Sequence, residues 1–335
     1  MWPPRLSPRR PPPPPATRTD PWSTPSKSSF FKKEATYATD AAPTGAVNAA
    51  LTRNFTAKPV VVDRIQRNLD RPVRGSSKDG PSNERQTYGY ELELAGSGTA
   101  GTAPAWMEHL EACGMAAPAL TANTSAVQRF APIGALLSSG TAYHWHGNQK
   151  RIGLGGRGTF GWDFTAGQYP FIKLDMTALL PAAGAITDAV PGEVKFDQWK
   201  DPVEVNTANT DFLLGGFALN LQTFSGEANA AVSAVNLVGA NYVNRGNHGL
   251  TCRVVGECPT IGAKDYFTTL RKGDEIPVQL DHGTVAGNMV QFKSDHLQIT
   301  DIELTENGDT NTLMISITGK LNVGTTADDL IITAK

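Results

Sequence analysis

Three glycines have the spacing of a loop that binds a dinucleotide. Gly96, Gly98 and Gly101 spell G-x-G-x-x-G between a strand-like and a helix-like segment, the context in which backbone N–H groups cradle a pyrophosphate. The preceding segment alternates apolar residues with glutamates, however, whereas the central strand of a nucleotide-binding sheet is nearly all apolar. The same spacing recurs at residues 153–158 in a chain with 33 glycines. A nucleotide-binding enzyme using Gly96–Gly101 is therefore an alternative and not the main hypothesis.

A histidine pair has the spacing of a metal site. His144 and His146 flank Trp145, and H-x-H on a strand turns both imidazole rings to the same face. Zinc needs at least three protein ligands, and no third ligand is evident nearby in the sequence. We therefore predict two surface histidines on a hairpin, and neither a metal nor another cofactor.

A histidine and a cysteine four residues apart could form a base and its nucleophile. His109 and Cys113 would touch each other on a helix. Cys113 also continues the apolar face formed by Trp106 and Leu110, and a thiol buried in such a face is inert. The sequence contains no nucleophile elbow, P-loop or metalloprotease motif. We therefore predict no catalytic residues and no enzymatic activity.

The glycine-rich segment is positioned by a strand before it and a short helix after it. Residues 88–94 alternate with period two, which predicts a half-buried strand with Glu91 and Glu93 on its wet face. The alternation near the C-terminus likewise places Asp301 and Glu303 on the wet face of a hairpin strand.

The three glycines themselves are predicted to serve packing. They allow a sharp turn from strand to helix and a close approach of the helix. Thr102 has the position of a helix cap, and Gly114 has the position of a terminator. Trp106 and Leu110 are expected on the buried face of this helix.

The order of elements is repeated along the chain. Each half is predicted to contain two strands, a short helix and two hairpins, and the hairpin strands alternate with one apolar face, as in antiparallel sheets. These elements fall at residues 58–69, 88–94, 102–114, 143–152 and 160–176, and again at 217–224, 248–257, 262–273, 278–292 and 296–321. We predict a mainly β protein with two tandem antiparallel β-sandwich or barrel domains, at residues 32–185 and 186–335, each with one short flanking α-helix.

The N-terminal residues differ in composition from the rest of the chain. Residues 1–31 contain ten of the 23 prolines, which predicts a disordered or polyproline II tail. Such a tail could be inert, or could bind a proline-recognising module or an anionic surface.

The formal charge is unevenly distributed along the chain. Residues 1–33 carry seven Lys/Arg and one Asp, a net of +6, so a chain of net −2 leaves −8 on the remainder. A mildly acidic body argues against a surface that grips nucleic acid, and no apolar run has the length of a membrane span.

Four segments resemble the major tail tube proteins of tailed bacteriophages and related prophages. They are AGSGTAGTAPAWMEHLEACGM (95–115), KKEATYATDAAPTGAVNAALTRNF (32–55), VEVNTANTDFLLGG (203–216) and the hairpin RGTFGWDFTAGQYPFIKLDMTAL (157–179). The resemblance runs from about Lys32 to the C-terminus and is strongest over residues 32–115. Residues 1–31 have no counterpart in that family.

The resemblance implies a structural virion protein, made in the host cytoplasm and located in the phage tail. Subunits of this family have a β-sandwich or barrel with a flanking helix, and they form closed sixfold or pseudo-sixfold rings that stack into a hollow tube. The tube forms around a tape measure protein and is joined by tail terminator and tail tip proteins. Phage DNA passes through the lumen without specific binding. The resemblance implies neither catalysis nor a cofactor.

The predicted repeat bears on the number of chains in a ring. If each half is one tube domain, three chains give a ring of six domains; if only one half is, a homohexamer is needed. An acidic lumen would repel DNA, and Glu91, Glu93, Asp301 and Glu303 are the candidates to line it. Another phage tail part, such as a sheath, terminator or decoration protein, is the structural alternative.

Overall fold

The described residues form antiparallel sheets with little helix. A computed structural model of the protein describes residues 27–307 and 312–335. These residues contain 20 strands and three short helices, and every pairing between those strands is antiparallel. The predicted mainly β, antiparallel class is confirmed.

The first half of the chain contains ten strands and two helices. They are β1 Lys27–Lys33, α1 Gly45–Asn48, β2 Ala49–Ala50, β3 Thr52–Ile65, β4 Gly80–Glu93, α2 Trp106–Ala112, β5 Ala119–Thr121, β6 Ser125–Gln128, β7 Gly140–His146, β8 Gln149–Thr165, β9 Phe171–Leu179 and β10 Ile186–Asp188. Seven pairings connect them, apart from the small β5–β6 hairpin: β1–β2, β1–β7, β3–β4, β4–β9, β7–β8, β8–β9 and β8–β10.

The second half contains ten strands and one helix. They are β11 Thr210–Leu214, β12 Phe217–Ala218, β13 Leu221–Glu227, β14 Val232–Leu237, β15 Ala240–Arg245, β16 Thr251–Glu257, α3 Tyr266–Lys272, β17 Glu275–His282, β18 Val290–Asn307, β19 Thr312–Leu321 and β20 Ile331–Ala334.

The seven pairings of the first half recur in the second half. They are β11–β12, β11–β17, β13–β16, β16–β19, β17–β18, β18–β19 and β18–β20, in the same order along the chain. In both halves a seven-residue helix, α2 or α3, follows the second strand of the first long pair, and one long strand serves both hairpins. The halves differ by three small insertions, which are the α1 helix, the β5–β6 hairpin and the β14–β15 hairpin.

The two halves are joined by strand pairing. The end of β8 pairs with β13 over Gly161–Thr165 and Thr223–Glu227, and β6 pairs with β20. As a result, β3, β4, β9, β8, β13, β16, β19 and β18 follow one another across one continuous sheet. One apolar cluster, which includes residues of both halves, lies behind it.

The predicted N-terminal tail needs correction where the structure describes it. Lys27–Phe31 were assigned to the disordered tail, but they belong to β1, because Phe30 and Phe31 are apolar and become buried. The rest of that tail lies outside the described residues. The strand β10 lies after the predicted domain boundary at residue 185 and pairs with β8.

The helices end where the sequence predicted and begin with different caps. The chain turns at Gly114 after α2 and at Gly273 after α3, with φ of 90° and 72°. Asp265 caps α3 by accepting a hydrogen bond from the Thr268 N–H. The N-cap of α2 is Ala105, without a side-chain hydrogen bond, so the prediction that Thr102 caps this helix is wrong. Among the described helices, none is long and apolar enough to cross a membrane.

Candidate functional site: a polar sheet face with free edges

The four predicted lumen residues lie on one face of the continuous sheet. Side chains of directly paired residues point to the same face of a sheet. One such row of cross-strand partners runs Glu93, Phe171, Asp163, Ser225, Arg253, Thr318 and Asp301. Glu91 and Glu303 lie two residues from this row on β4 and β18, and therefore share its face. The alternate residues of these strands form the buried core.

This face, which we call the polar face, carries a small acidic excess. Its open part has carboxylates at Glu91, Glu93, Asp163, Asp175, Glu227, Glu257, Asp301 and Glu303, and basic groups at Arg53, Lys58, Lys173, Arg253 and Lys320. The β14–β15 hairpin covers the other end of the face. There, Asn83 Nδ2 donates to the Ala234 carbonyl oxygen at 3.3 Å, and Arg157 Nη1 donates to that of Val243 at 2.9 Å.

The predicted lumen residues differ in their electrostatic surroundings. Arg53 Nε lies 2.6 Å from Glu91 Oε2, and Arg53 Nη1 lies 3.9 Å from Glu93 Oε1. The same guanidinium lies over the Phe171 ring, 4.3 Å from its centroid. Asp301 and Glu303 are exposed and form no ion pair within residues 27–307 and 312–335. The free negative charge of the four is therefore greater at the β18 end of the face.

The glycines of the G-x-G-x-x-G segment pack against other loops and not against α2. A Cβ on Gly96 would lie 2.0 Å from the Gly287 carbonyl oxygen, and one on Gly101 would lie 2.5 Å from the Thr121 carbonyl oxygen. Gly98 and Gly101 have φ of 85° and 79°, so the predicted sharp turn is confirmed. The expected close packing of the glycines on the helix is corrected, because a loop of the second half contacts Gly96, and Gly101 contacts residues 121–123 of the first half.

The buried helix face is as predicted. Trp106 and Leu110 are buried in the core cluster, and Trp106 Nε1 donates to the Ala95 carbonyl oxygen at 2.8 Å. Cys113 is also buried, which raises the pKa of its thiol to about 12. A thiol with this pKa is protonated at neutral pH and is a poor nucleophile.

Three backbone N–H groups of the glycine loop already have partners. Gly96 N–H donates to Asn288 Oδ1 at 2.7 Å, Gly98 N–H donates to the Gly287 carbonyl oxygen at 2.9 Å, and Thr99 N–H donates to Ser97 Oγ at 3.2 Å. A loop that binds a pyrophosphate must leave such donors free. The following helix, α2, has only seven residues.

The histidine pair is split between the core and the surface. His146 is exposed, as predicted, but His144 is fully buried, so the prediction of two surface histidines is wrong for His144. Its ring lies 5.1 Å from the Tyr88 ring and 5.4 Å from the Phe55 ring. Burial lowers the pKa of His144 to about 3. No group of three or more His, Cys, Asp or Glu residues within the described ranges could hold a metal ion.

The sequence predicts antiparallel sheets with exposed edges but does not identify the two strands, β3 and β18, at which the structure shows free edges. One edge of β3 pairs with β4, and no strand of the described residues pairs with its other edge. Beyond Ile299, β18 pairs only with β19 within the same described ranges. Leu304, on this part of β18, is 48% exposed, but in the sequence it only continues the apolar alternation typical of a half-buried strand.

Comparisons with known proteins add no relative. No family model matches the chain, and no curated protein matches it in sequence.

Proposed function

We propose that the chain is a structural subunit of a phage tail tube, with each half acting as one tube domain. In this proposal three chains form a ring of six domains, and rings stack into a hollow tube. The polar face, including Glu91, Glu93, Asp301 and Glu303, lines the lumen through which phage DNA passes. The subunit belongs to the virion and is assembled in the host cytoplasm with tape measure, terminator and tip proteins.

The observation that carries the proposal is the repeated set of seven strand pairings joined into one sheet. Two equal units in one chain halve the number of chains that a pseudo-sixfold ring requires. A sheet that continues through both units and ends in the free edges of β3 and β18 can continue into another copy, and ring closure then leaves neither of these two edges exposed.

The charge of the polar face is compatible with passage of DNA. Tight binding to the phosphate backbone needs many Lys and Arg contacts. The open part of the face instead has more carboxylates than basic groups, and Arg53 is held by Glu91. DNA would therefore slide past this face without being held.

The contacts of the glycine loop disfavour the nucleotide-binding alternative. The N–H groups of Gly96 and Gly98 already donate to Asn288 and Gly287, so a pyrophosphate would have to displace a loop of the second half. The proposed tube function needs no ligand at this place.

Electron microscopy of the purified protein tests the proposal. We expect stacked discs with a central hole, and a mass per ring of three chains of 35.7 kDa. Single rings that never stack would favour a terminator, and a chain that remains monomeric would contradict the proposed function. Six chains around one lumen would keep the tube but overturn the trimeric ring.

A further inference from the structure

The pairing of β8 with β13 joins the two halves, and it has no equivalent at the free edges of β3 and β18. Strand β13 is paired on both edges, with β16 and with β8, whereas its counterpart β3 pairs, among the described strands, only with β4. The end of β8 is likewise paired on both edges, with β9 and β13, whereas its counterpart on β18 pairs only with β19 within residues 27–307 and 312–335. The free edges of β3 and β18 therefore correspond to the two edges that pair with each other at the β8–β13 junction.

The register of the repeat can be followed from one strand to the next. Each long strand has a shift against its hairpin partner, between Gly153 and Gly156 in β8 and between Ser294 and Leu297 in β18. Gly156 therefore corresponds to Leu297, and two residues later Gly158 corresponds to Ile299.

The strands paired with these residues correspond in turn. Gly158 is opposite Met176, which is opposite Tyr88 on β4. In the second unit Ile299 is opposite Gly319, which is opposite Cys252 on β16. Tyr88 and Cys252 are therefore equivalent, and so are their partners Ala57 on β3 and Gly226 on β13.

The residues paired at the β8–β13 junction have equivalents at the free edges of β18 and β3. Within the chain, Gly161, Trp162 and Asp163 are opposite Glu227, Gly226 and Ser225. One residue is inserted in β18 between Ile299 and Asp301, so the three β8 residues correspond to Glu303, Leu304 and Thr305. The three β13 residues correspond to Lys58, Ala57 and Thr56.

We infer that β18 of one copy pairs antiparallel with β3 of the next copy, placing Glu303 opposite Lys58, Leu304 opposite Ala57 and Thr305 opposite Thr56. The partner is a second copy of this chain, and the inference rests on the proposed ring. Each of the two edges is used once per chain, so the contact is head-to-tail and can close into a ring.

The side chains at the two edges complement each other. Glu303 and Lys58 are both exposed and have opposite charge, and such a cross-strand pair favours pairing. Two threonines opposite each other are also favourable. Leu304 points to the apolar side of the sheet but is 48% exposed, and the small Ala57 leaves room for it. The same arrangement occurs inside the chain, where a Cβ on Gly226 would lie 2.2 Å from Trp162 Cζ2.

The segment of β3 that would be covered is accessible. At its N-terminal end, Lys27 Nζ donates to the Phe55 carbonyl oxygen at 3.0 Å. The following residues, Thr56 and Lys58, are exposed, and their strand has no second partner strand in the described residues.

Paired cysteines test this register in the assembled full chain. Directly opposite residues have Cβ atoms roughly 4.5–5.5 Å apart, close enough for a disulfide after a small adjustment. We expect the Thr56→Cys, Thr305→Cys double variant, in a Cys258→Ser background, to give covalent trimers on a non-reducing gel that return to monomers on reduction. The control, Thr56→Cys with Asp301→Cys, displaces one thiol by four residues, or about 13 Å along the strand, and should remain monomeric on the gel.

Charge reversal tests the same junction without oxidation. Lys58→Glu or Glu303→Lys alone should weaken ring association about fivefold per junction, and the double variant should recover it. Three outcomes would overturn this junction but leave the proposed function standing, provided that tubes still form in the microscope. They are no cross-link in the Thr56→Cys, Thr305→Cys double variant, an equal cross-link in the control pair, and no recovery in the double charge reversal. Absence of any oligomer of the unmodified chain would overturn both.

Discussion

Gly96 and Gly287 let two loops from opposite halves of the chain lie in direct contact. A Cβ on Gly96 would approach the Gly287 carbonyl oxygen to 2.0 Å, and a Cβ on Gly287 would approach Gly98 C to 2.7 Å. The hydrogen bonds from Gly96 N–H to Asn288 and from Gly98 N–H to Gly287 require the same proximity. A methyl group added at Gly96 would therefore force these two loops apart.

We expect Gly96→Ala to destabilise the chain by ~1–3 kcal/mol, because overpacking against a backbone oxygen has no flexible side chain to relieve it. The matched control is Gly192→Ala, where no heavy atom lies within 4 Å of the added Cβ. Urea unfolding would measure both variants. Equal stability of the two would contradict the close contact.

Three buried histidines of the described residues, His109, His144 and His282, make folding sensitive to acid. Burial lowers the pKa values of His109 and His144 to about 3, below the 6.5 of an unfolded chain. The unfolded state therefore binds protons first as the pH falls. The contribution of neutral, buried His109 and that of neutral, buried His144 to the free energy of unfolding are fully present above pH 6.5. Each contribution declines between pH 6.5 and about 3, by up to ~1.4 kcal/mol per pH unit.

Replacing one of these histidines should flatten the acid dependence. We expect His144→Gln to be less stable than the unmodified chain at pH 7 and to lose less stability between pH 6.5 and 4. Exposed His146 gives the control, since His146→Gln should keep the original slope. Melting temperatures over this pH range would measure the effect, and unchanged slopes in both variants would rule out His144 as a source.

The two seven-residue helices, α2 and α3, are held by different means. The α3 helix begins at a side-chain cap, since Asp265 accepts from the Thr268 N–H at 2.9 Å and from Thr268 Oγ1 at 2.6 Å. The α2 helix has no such cap and instead buries Trp106, Met107 and Leu110. A seven-residue helix is too short to be stable in isolation, so α2 depends on its packing.

Cap removal should therefore affect only one helix. Asp265→Ala is expected to cost about 1 kcal/mol of stability, because the Thr268 N–H loses its partner. Thr102→Ala is the comparison, as an exposed residue that the sequence predicted to be a cap, and it should change stability by less than ~0.5 kcal/mol. Chemical unfolding of both variants measures the difference, and a larger loss for Thr102→Ala would reverse the assignment.

At the scale of the whole molecule, the two halves of the chain share a sheet and a core. The Trp162 side chain of the first unit lies 5.9 Å from the Phe224 ring and 5.8 Å from the Phe292 ring of the second, measured between centroids. The β8–β13 pairing continues the sheet through the same place. Neither half has a separate apolar interior at this junction.

We therefore expect the two halves to unfold in one transition. At a fixed protein concentration, scanning calorimetry of the unmodified chain should show one peak, and Trp162→Ala should lower the stability of both halves together, by ~3–5 kcal/mol. Val238→Ala, at a residue exposed on the β14–β15 turn, should leave the peak unchanged. Two separate peaks in the unmodified chain would contradict the shared core.

The sequence by itself determined the antiparallel class, the buried face of α2 and the repeated order of elements. Period-two alternation and short-range packing are local properties, so Glu91, Glu93, Asp301 and Glu303 could be placed on wet faces without a structure. Only the tertiary structure decided that all four share one face, that Arg53 pairs with Glu91, that Gly96 meets Gly287, and that His144 is buried. Each of these contacts joins residues distant in sequence, through the register of strands that the local pattern leaves undetermined.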